Sequence, residues 1–136
     1  MSKITVWFIK SAMVYFVLAI VVGLHMAASG TTYPYMPIHA HLNLLGWISM
    51  MIYGVGYHIL PRFSGRPLYS DRLAEWQFWL ANIGLVGMSL GWVIRSWHGD
   101  RTMLIIFSIV EAIAAAIFVI NMLKTIKAAT PPPVAK

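Results

Sequence analysis

The chain has 136 residues, of which 60% are hydrophobic and 10% charged, with a formal net charge of +6 and no cysteine. Its mean hydropathy of +0.74 excludes a soluble catalytic domain, because almost nothing polar is left outside the apolar runs. The absence of cysteine excludes disulfides, iron–sulfur clusters, thiolate zinc sites and covalent c-type haem.

Four apolar runs are long enough to cross a bilayer at about 20 residues per crossing: Thr5–Ala28, Pro37–Leu60, Leu73–Trp97 and Met103–Ile126. The predicted fold is therefore all-α, a single four-helix transmembrane domain over residues 1–128. A proline-rich tail over 129–136, ending PPPVAK, is expected to be disordered.

The first run exceeds the length of a signal h-region, and Ala27-Ala28-Ser29 leads into a further helix. It is expected to be retained rather than cleaved. Lys10 can snorkel to the nearer interface, and His25 lies near the other end. The link SGTTYPYMP is short, so the first two spans should be antiparallel neighbours, with Pro37 suited to the first turn of the second.

The second span, PIHAHLNLLGWISMMIYGVGYHILPRF, carries three histidines and an asparagine. Polar groups at membrane depth are costly and mark functional sites. His39 and His41 are two residues apart, a rotation of about 200° at roughly 100° per residue. Their imidazoles should leave the helix in nearly opposite directions, toward two different sites. Gly46, Gly54 and Gly56 allow either close helix packing or room for a flat cofactor. The span should stop at Pro61. His58, about 25 Å along the axis from His41 at 1.5 Å per residue, cannot share an iron with it, and suits an interfacial hydrogen-bonding role.

The loop RFSGRPLYSDR leads to the third span, which opens with Glu75 and the aromatic belt of Trp76, Phe78 and Trp79. Gly84, Gly87 and Gly91 are spaced for close packing. The outer loop WVIRSWHGDR holds Arg95 and Arg101, and His98 at the interface. In the fourth span Glu111 is expected to be protonated and hydrogen-bonded, with a proton relay the alternative.

Lys3, Arg62, Arg66, Arg72, Lys124, Lys127 and Lys136 share one side, against Arg95 and Arg101 on the other. The positive-inside rule makes both termini cytoplasmic, in an inner (cytoplasmic) membrane. Anionic lipid accounts for the charge better than nucleic acid.

Five histidines without cysteine point to imidazole-only ligation. Haem iron with axial histidines suits an apolar bundle. Copper is the rival, but the nine methionines are scattered as core filler rather than arranged in a repeated motif. His39 and His41 are the principal metal candidates. His25 is either a ligand or the partner of one.

The segment HAHLNLLGW, with its small-residue-rich continuation, resembles the tenth helix of the catalytic subunit of haem-copper oxidases and nitric oxide reductases. The likeness covers Pro37–Phe63, with a weaker echo in Trp92–Arg101. That helix carries a His-x-His pair whose imidazoles ligate two different haems, and His39 and His41 match it. Those subunits consist of four-helix arcs in pseudo-threefold symmetry, each with its histidines on the second helix, so this chain looks like one arc. The resemblance implies a homotrimeric ring with a haem b at each subunit interface, taking His39 from one copy and His41 from the next. It also implies that Arg95 or Arg101 binds haem propionates.

The family's further histidines for a second metal are missing, and a bis-histidine haem has no vacant position. Oxidase or reductase activity is therefore not carried over. The expected function is a bis-histidine electron-transfer cytochrome, reduced by a quinol or a redox protein. Alternatives are a haem or gas sensor or haem carrier with one labile histidine, a small oxygen or nitric oxide reductase using His25 or His58 with a second metal, and a structural subunit without cofactor.

Overall fold

The chain folds into four long helices: α1 (Lys3–Ser29), α2 (Tyr35–Phe63), α3 (Asp71–His98) and α4 (Thr102–Thr125), each long and apolar enough to cross a membrane. The computed structural model describes residues 1–127; the expected disordered tail at 129–136 lies outside the described residues. The helices fall within a few residues of the predicted spans, because their boundaries are set by local signals. Ser2 caps α1 by accepting the Thr5 N–H at 3.2 Å, and Ser70 caps α3 by accepting the Leu73 N–H at 3.2 Å. Gly30 and Gly99, at φ 67° and 72°, close α1 and α3 in a left-handed conformation that glycine adopts without a Cβ penalty.

The helix α2 departs from the expectation twice. It is α-helical over Tyr35–His41, π-helical over Leu42–Ser49, and α-helical again over Met50–Phe63. The π segment begins directly after His41, a placement common near functional sites. Ser49 Oγ donates to the Leu44 carbonyl at 2.8 Å, five residues back. Pro61 also does not stop the helix. It lies in the last turn, where its missing N–H removes only one bond. The helix ends where Gly65 turns left-handed at φ 61° and the Arg66 N–H reaches the Pro61 carbonyl at 3.0 Å.

Packing follows the glycines. α3 lies closest to α4: an added Cβ on Gly91 would come within 2.8 Å of the Leu104 backbone, and one on Gly87 would meet the Phe107 ring. α2 packs on α1 through Gly46, where an added Cβ would lie 2.7 Å from Tyr15 Cβ, and through Gly54, against Ile9 and Phe8. Gly56 faces the Phe118 ring of α4. All three α2 glycines thus serve helix packing within the chain, the first of the two uses expected of them. Phe8, Tyr53, Tyr57, Phe78 and Phe118 form an aromatic core where the four helices meet. Val14, Val17, Ile20 and Val21 on α1 and Ile105, Ile109 and Ile113 on α4 are exposed, as lipid-facing residues are.

Polar links also tie the bundle. Tyr15 Oη donates to Asn82 at 2.8 Å, and Tyr57 Oη donates to Gln77. At the end holding residues 2 and 127, Asn121 accepts the Ser70 N–H at 3.1 Å and donates to the Ser70 carbonyl at 2.9 Å, fixing the α2–α3 loop to α4.

Candidate functional site

His39 and His41 lie in the short α-helical turn just ahead of the π segment, with the histidine rings held by different neighbours. Nδ1 of His39 is 2.8 Å from the Ala19 carbonyl of α1. Nδ1 of His41 is 2.6 Å from the Pro37 carbonyl, one turn back in its own helix. Proline has no N–H of its own, but its carbonyl accepts like any other. A carbonyl can only accept, so each Nδ1 carries the hydrogen and donates it. In each neutral ring the lone pair then sits on Nε2, the atom left to bind a metal.

The two rings face different helices. His39 lies in the seam between α1 and α2, where an added Cβ on Gly23 would stand 3.0 Å from its Cε1. His41 faces α3, its ring centroid 6.3 Å from that of Trp92 at an interplanar angle of 34°. Asn43 sits one turn beyond His39. Its Nδ2 donates to the His39 carbonyl at 2.9 Å and lies 3.3 Å from His39 Nε2.

The arginines separate. Arg95 lies over the Trp92 ring with its guanidinium carbon 5.0 Å from the centroid, so His41, Trp92 and Arg95 form one stack. Trp92 Nε1 is buried and has no hydrogen-bond partner among the described residues. Arg101 stands exposed at the start of α4, outside that stack. His25 is exposed, its ring edge-on to Tyr35 at 4.6 Å. His58 Nε2 is 3.0 Å from Arg62 Nη1, so its lone pair accepts from its own helix. His98 is exposed at the end of α3.

Glu111 differs from expectation. It is only 6% exposed, yet neither carboxyl oxygen has a hydrogen-bond partner among the described residues. It lies against Gly84, where an added Cβ would come 2.6 Å from Oε2. The close α3–α4 approach that Gly84 permits covers the carboxyl with backbone rather than with a donor.

Among the described residues no three His, Cys, Asp or Glu side chains gather to hold a metal ion. What the arrangement offers is two single imidazole donors on two sides of one helix. That suits a metal whose remaining coordination comes from elsewhere.

The sequence profile of the family described as cytochrome c and quinol oxidase polypeptide I matches residues 29–100, more than half of the chain. The chain belongs to that family. The matched stretch takes in His39, His41, Asn43, Trp92 and Arg95, and leaves out His25, Arg101 and Glu111. Among the relatives, the chain is 49% identical over 49 residues to cytochrome c oxidase subunit 1 of Rhodobacter capsulatus, covering 35% of this chain and 9% of that one. It is 35% identical over 85 residues to a cytochrome c oxidase subunit 1 homolog of Agrobacterium tumefaciens, 57% of this chain and 16% of that one. It is 34% identical over 97 residues to a Cbb3-type cytochrome c oxidase subunit of Stutzerimonas stutzeri, 62% of this chain and 20% of that one. The chain thus spans a fifth or less of the length of these relatives. No solved structure gives a significant match. With four spanning helices, this member of the family is a multi-pass membrane protein.

Sequence reasoning did not assign roles to Asn43, Gly23 or Trp92. Asn43 carried a signal, since a residue four after His39 shares its helix face. Gly23 and Trp92 belong to other helices, and only the folded bundle brings them to the pair.

Proposed function

We propose that this chain is an inner-membrane haem b protein, with both termini cytoplasmic, in which His39 and His41 supply axial ligands to two different haems. One observation carries this: both Nδ1 atoms donate to backbone carbonyls, at 2.8 Å and 2.6 Å, leaving Nε2 as the metal-binding atom of each ring. Such an outer hydrogen bond fixes the tautomer and orients the ring, as for ligating histidines generally.

The residues present fit that group. The two imidazoles diverge toward α1 and α3, so a single chain offers each haem one ligand, and a second copy supplies the other. Three copies closing head-to-tail around a threefold axis satisfy every ligand with the same contact. Membership of the oxidase subunit I family supports the arrangement. Arg95 and the unpartnered Nε1 of Trp92 supply donors beside His41 for a propionate carboxylate. When bound, the haem supplies one-electron redox chemistry. The chain's own residues would hold it: His39 and His41 through Nε2, and Arg95 with Trp92 beside His41. The function is electron transfer, with a membrane quinol or a redox protein as donor.

The test is ligand replacement. H39A and H41A, each made singly in the full chain, should each convert the haem from six-coordinate low-spin to five-coordinate, seen in optical and electron paramagnetic resonance spectra. Retention of the low-spin spectrum in both variants would overturn the ligand assignment.

A further inference from the structure

The two imidazoles are not equivalent. His41 Nε2 has no hydrogen-bond partner among the described residues, its ring being fixed only through Nδ1. His39 Nε2 is met by the Asn43 amide at 3.3 Å.

The orientation of that amide follows from its partners. The His39 carbonyl accepts only, so the Asn43 atom 2.9 Å away is the NH2 group and not the oxygen. His39 Nδ1 donates to Ala19, so His39 Nε2 is an acceptor. One NH2 group therefore directs its two hydrogens to two acceptors of the same residue. The ring cannot easily turn away, because Gly23 closes one side of it, where even an added methyl group would stand 3.0 Å from Cε1. The amide is the freer partner: it keeps its stronger bond to the carbonyl when the weaker contact to Nε2 is given up.

We propose that Asn43 is a positioning residue that guards His39, holding its Nε2 lone pair in the haem-free chain and releasing it when the iron takes that atom. Resting on the bis-histidine ligation proposed above, this makes His41 the open ligand and His39 the capped one. His41, beside Trp92 and Arg95, would be the ligand free to hold haem first, and the His39 of a neighbouring copy would complete the ligand pair. The guard also keeps a lone imidazole at membrane depth satisfied before assembly, where an unpaired acceptor is costly.

The experiment is a haem titration of the full chain purified haem-free in detergent, comparing wild type with N43L and N43A. The leucine keeps the volume and removes the donor; the alanine serves if leucine fails to fold. Both should bind haem about fivefold more tightly, the equilibrium weight of one net hydrogen bond, with the same low-spin spectrum. The sign separates this from a structural role, since loosened packing would weaken haem binding. The gain should vanish in an H39A background, where there is no lone pair to guard. Equal or weaker affinity in both Asn43 variants overturns the guard, while wild-type low-spin haem that is lost in H39A leaves the ligation itself standing. Six-coordinate haem retained in H39A overturns both.

Discussion

At the scale of single residues, the histidine pair is defined by what each Nδ1 touches. Ala19 contributes its carbonyl to His39, while its methyl group is fully buried in the core; Gly23 faces the ring itself. Gly23→Ala would press a methyl group against the His39 ring at 3.0 Å, tighter than ordinary van der Waals contact. It should shift the ring, weaken the bond to Ala19 and raise the haem-dissociation rate several-fold, measured by transfer of haem to an excess of apomyoglobin. Gly23→Ala with unchanged haem retention would show that the seam yields. For the arginines, R95A should weaken haem binding about tenfold, the weight of a charge-assisted hydrogen bond, whereas R101A should change it less than twofold. A haem titration of each checks this, and equal losses would count against the His41–Trp92–Arg95 stack as the propionate site. The His-x-His spacing made the pair legible in the sequence, because a two-residue offset alone dictates divergence. The carbonyl of Ala19 and the ring of Trp92 were not legible, because their roles exist only across helix interfaces. Between Arg95 and Arg101 the sequence offered no choice; the contact with Trp92 separates them.

At the scale of elements, all four helices were readable from apolar length, since in a bilayer every backbone group must be bonded within its own helix. The π segment was not. Leu42–Ser49 mixes good helix formers with Asn43 and Gly46, and its wider turns coincide with the seat of Gly46 between Tyr15 and Leu85, a tertiary fit that no local pattern encodes. Pro61 misled for a related reason: its position in the last turn, not its identity, decides what it costs. The glycines of α3 give a prediction at this scale. Gly84→Ala would drive a methyl group into the Glu111 carboxyl and backbone, and Gly87→Ala into the Phe107 ring. Each should destabilise the α3–α4 pair by about 1–3 kcal/mol, the usual cost of overpacking, measured by unfolding in mixed micelles. Gly65→Ala, outside the packing seams but at φ 61°, should be destabilising through backbone strain alone. Full tolerance of Gly87→Ala would contradict the close approach of α3 and α4.

At the scale of the whole molecule, one chain presents two divergent imidazoles and leaves broad apolar faces on α1 and α4. Bilayer lipid can cover such faces, but lipid cannot complete the coordination of an iron. Subunit association and haem binding should therefore be coupled: the haem-loaded protein should run as a trimer carrying one haem per subunit, by native mass spectrometry. Haem removal should lower the trimer fraction in the same detergent. A haem-loaded monomer would contradict ligand sharing between copies. The four-span architecture was legible from hydropathy, and the family from the HAHLNLLGW segment. The exposed residues of α1 and α4 are apolar whether they meet lipid or protein, so the expected trimer rests on the resemblance to one four-helix arc and not on their pattern.

The most direct measurement is the optical spectrum of the detergent-purified full chain, oxidised and dithionite-reduced, with and without carbon monoxide. Bis-histidine ligation by His39 and His41 predicts sharp low-spin reduced bands that carbon monoxide leaves unchanged, and the loss of that resistance in H39A and in H41A. A prompt carbon monoxide shift in the wild-type protein, or no haem absorbance from cells well supplied with haem, would contradict it.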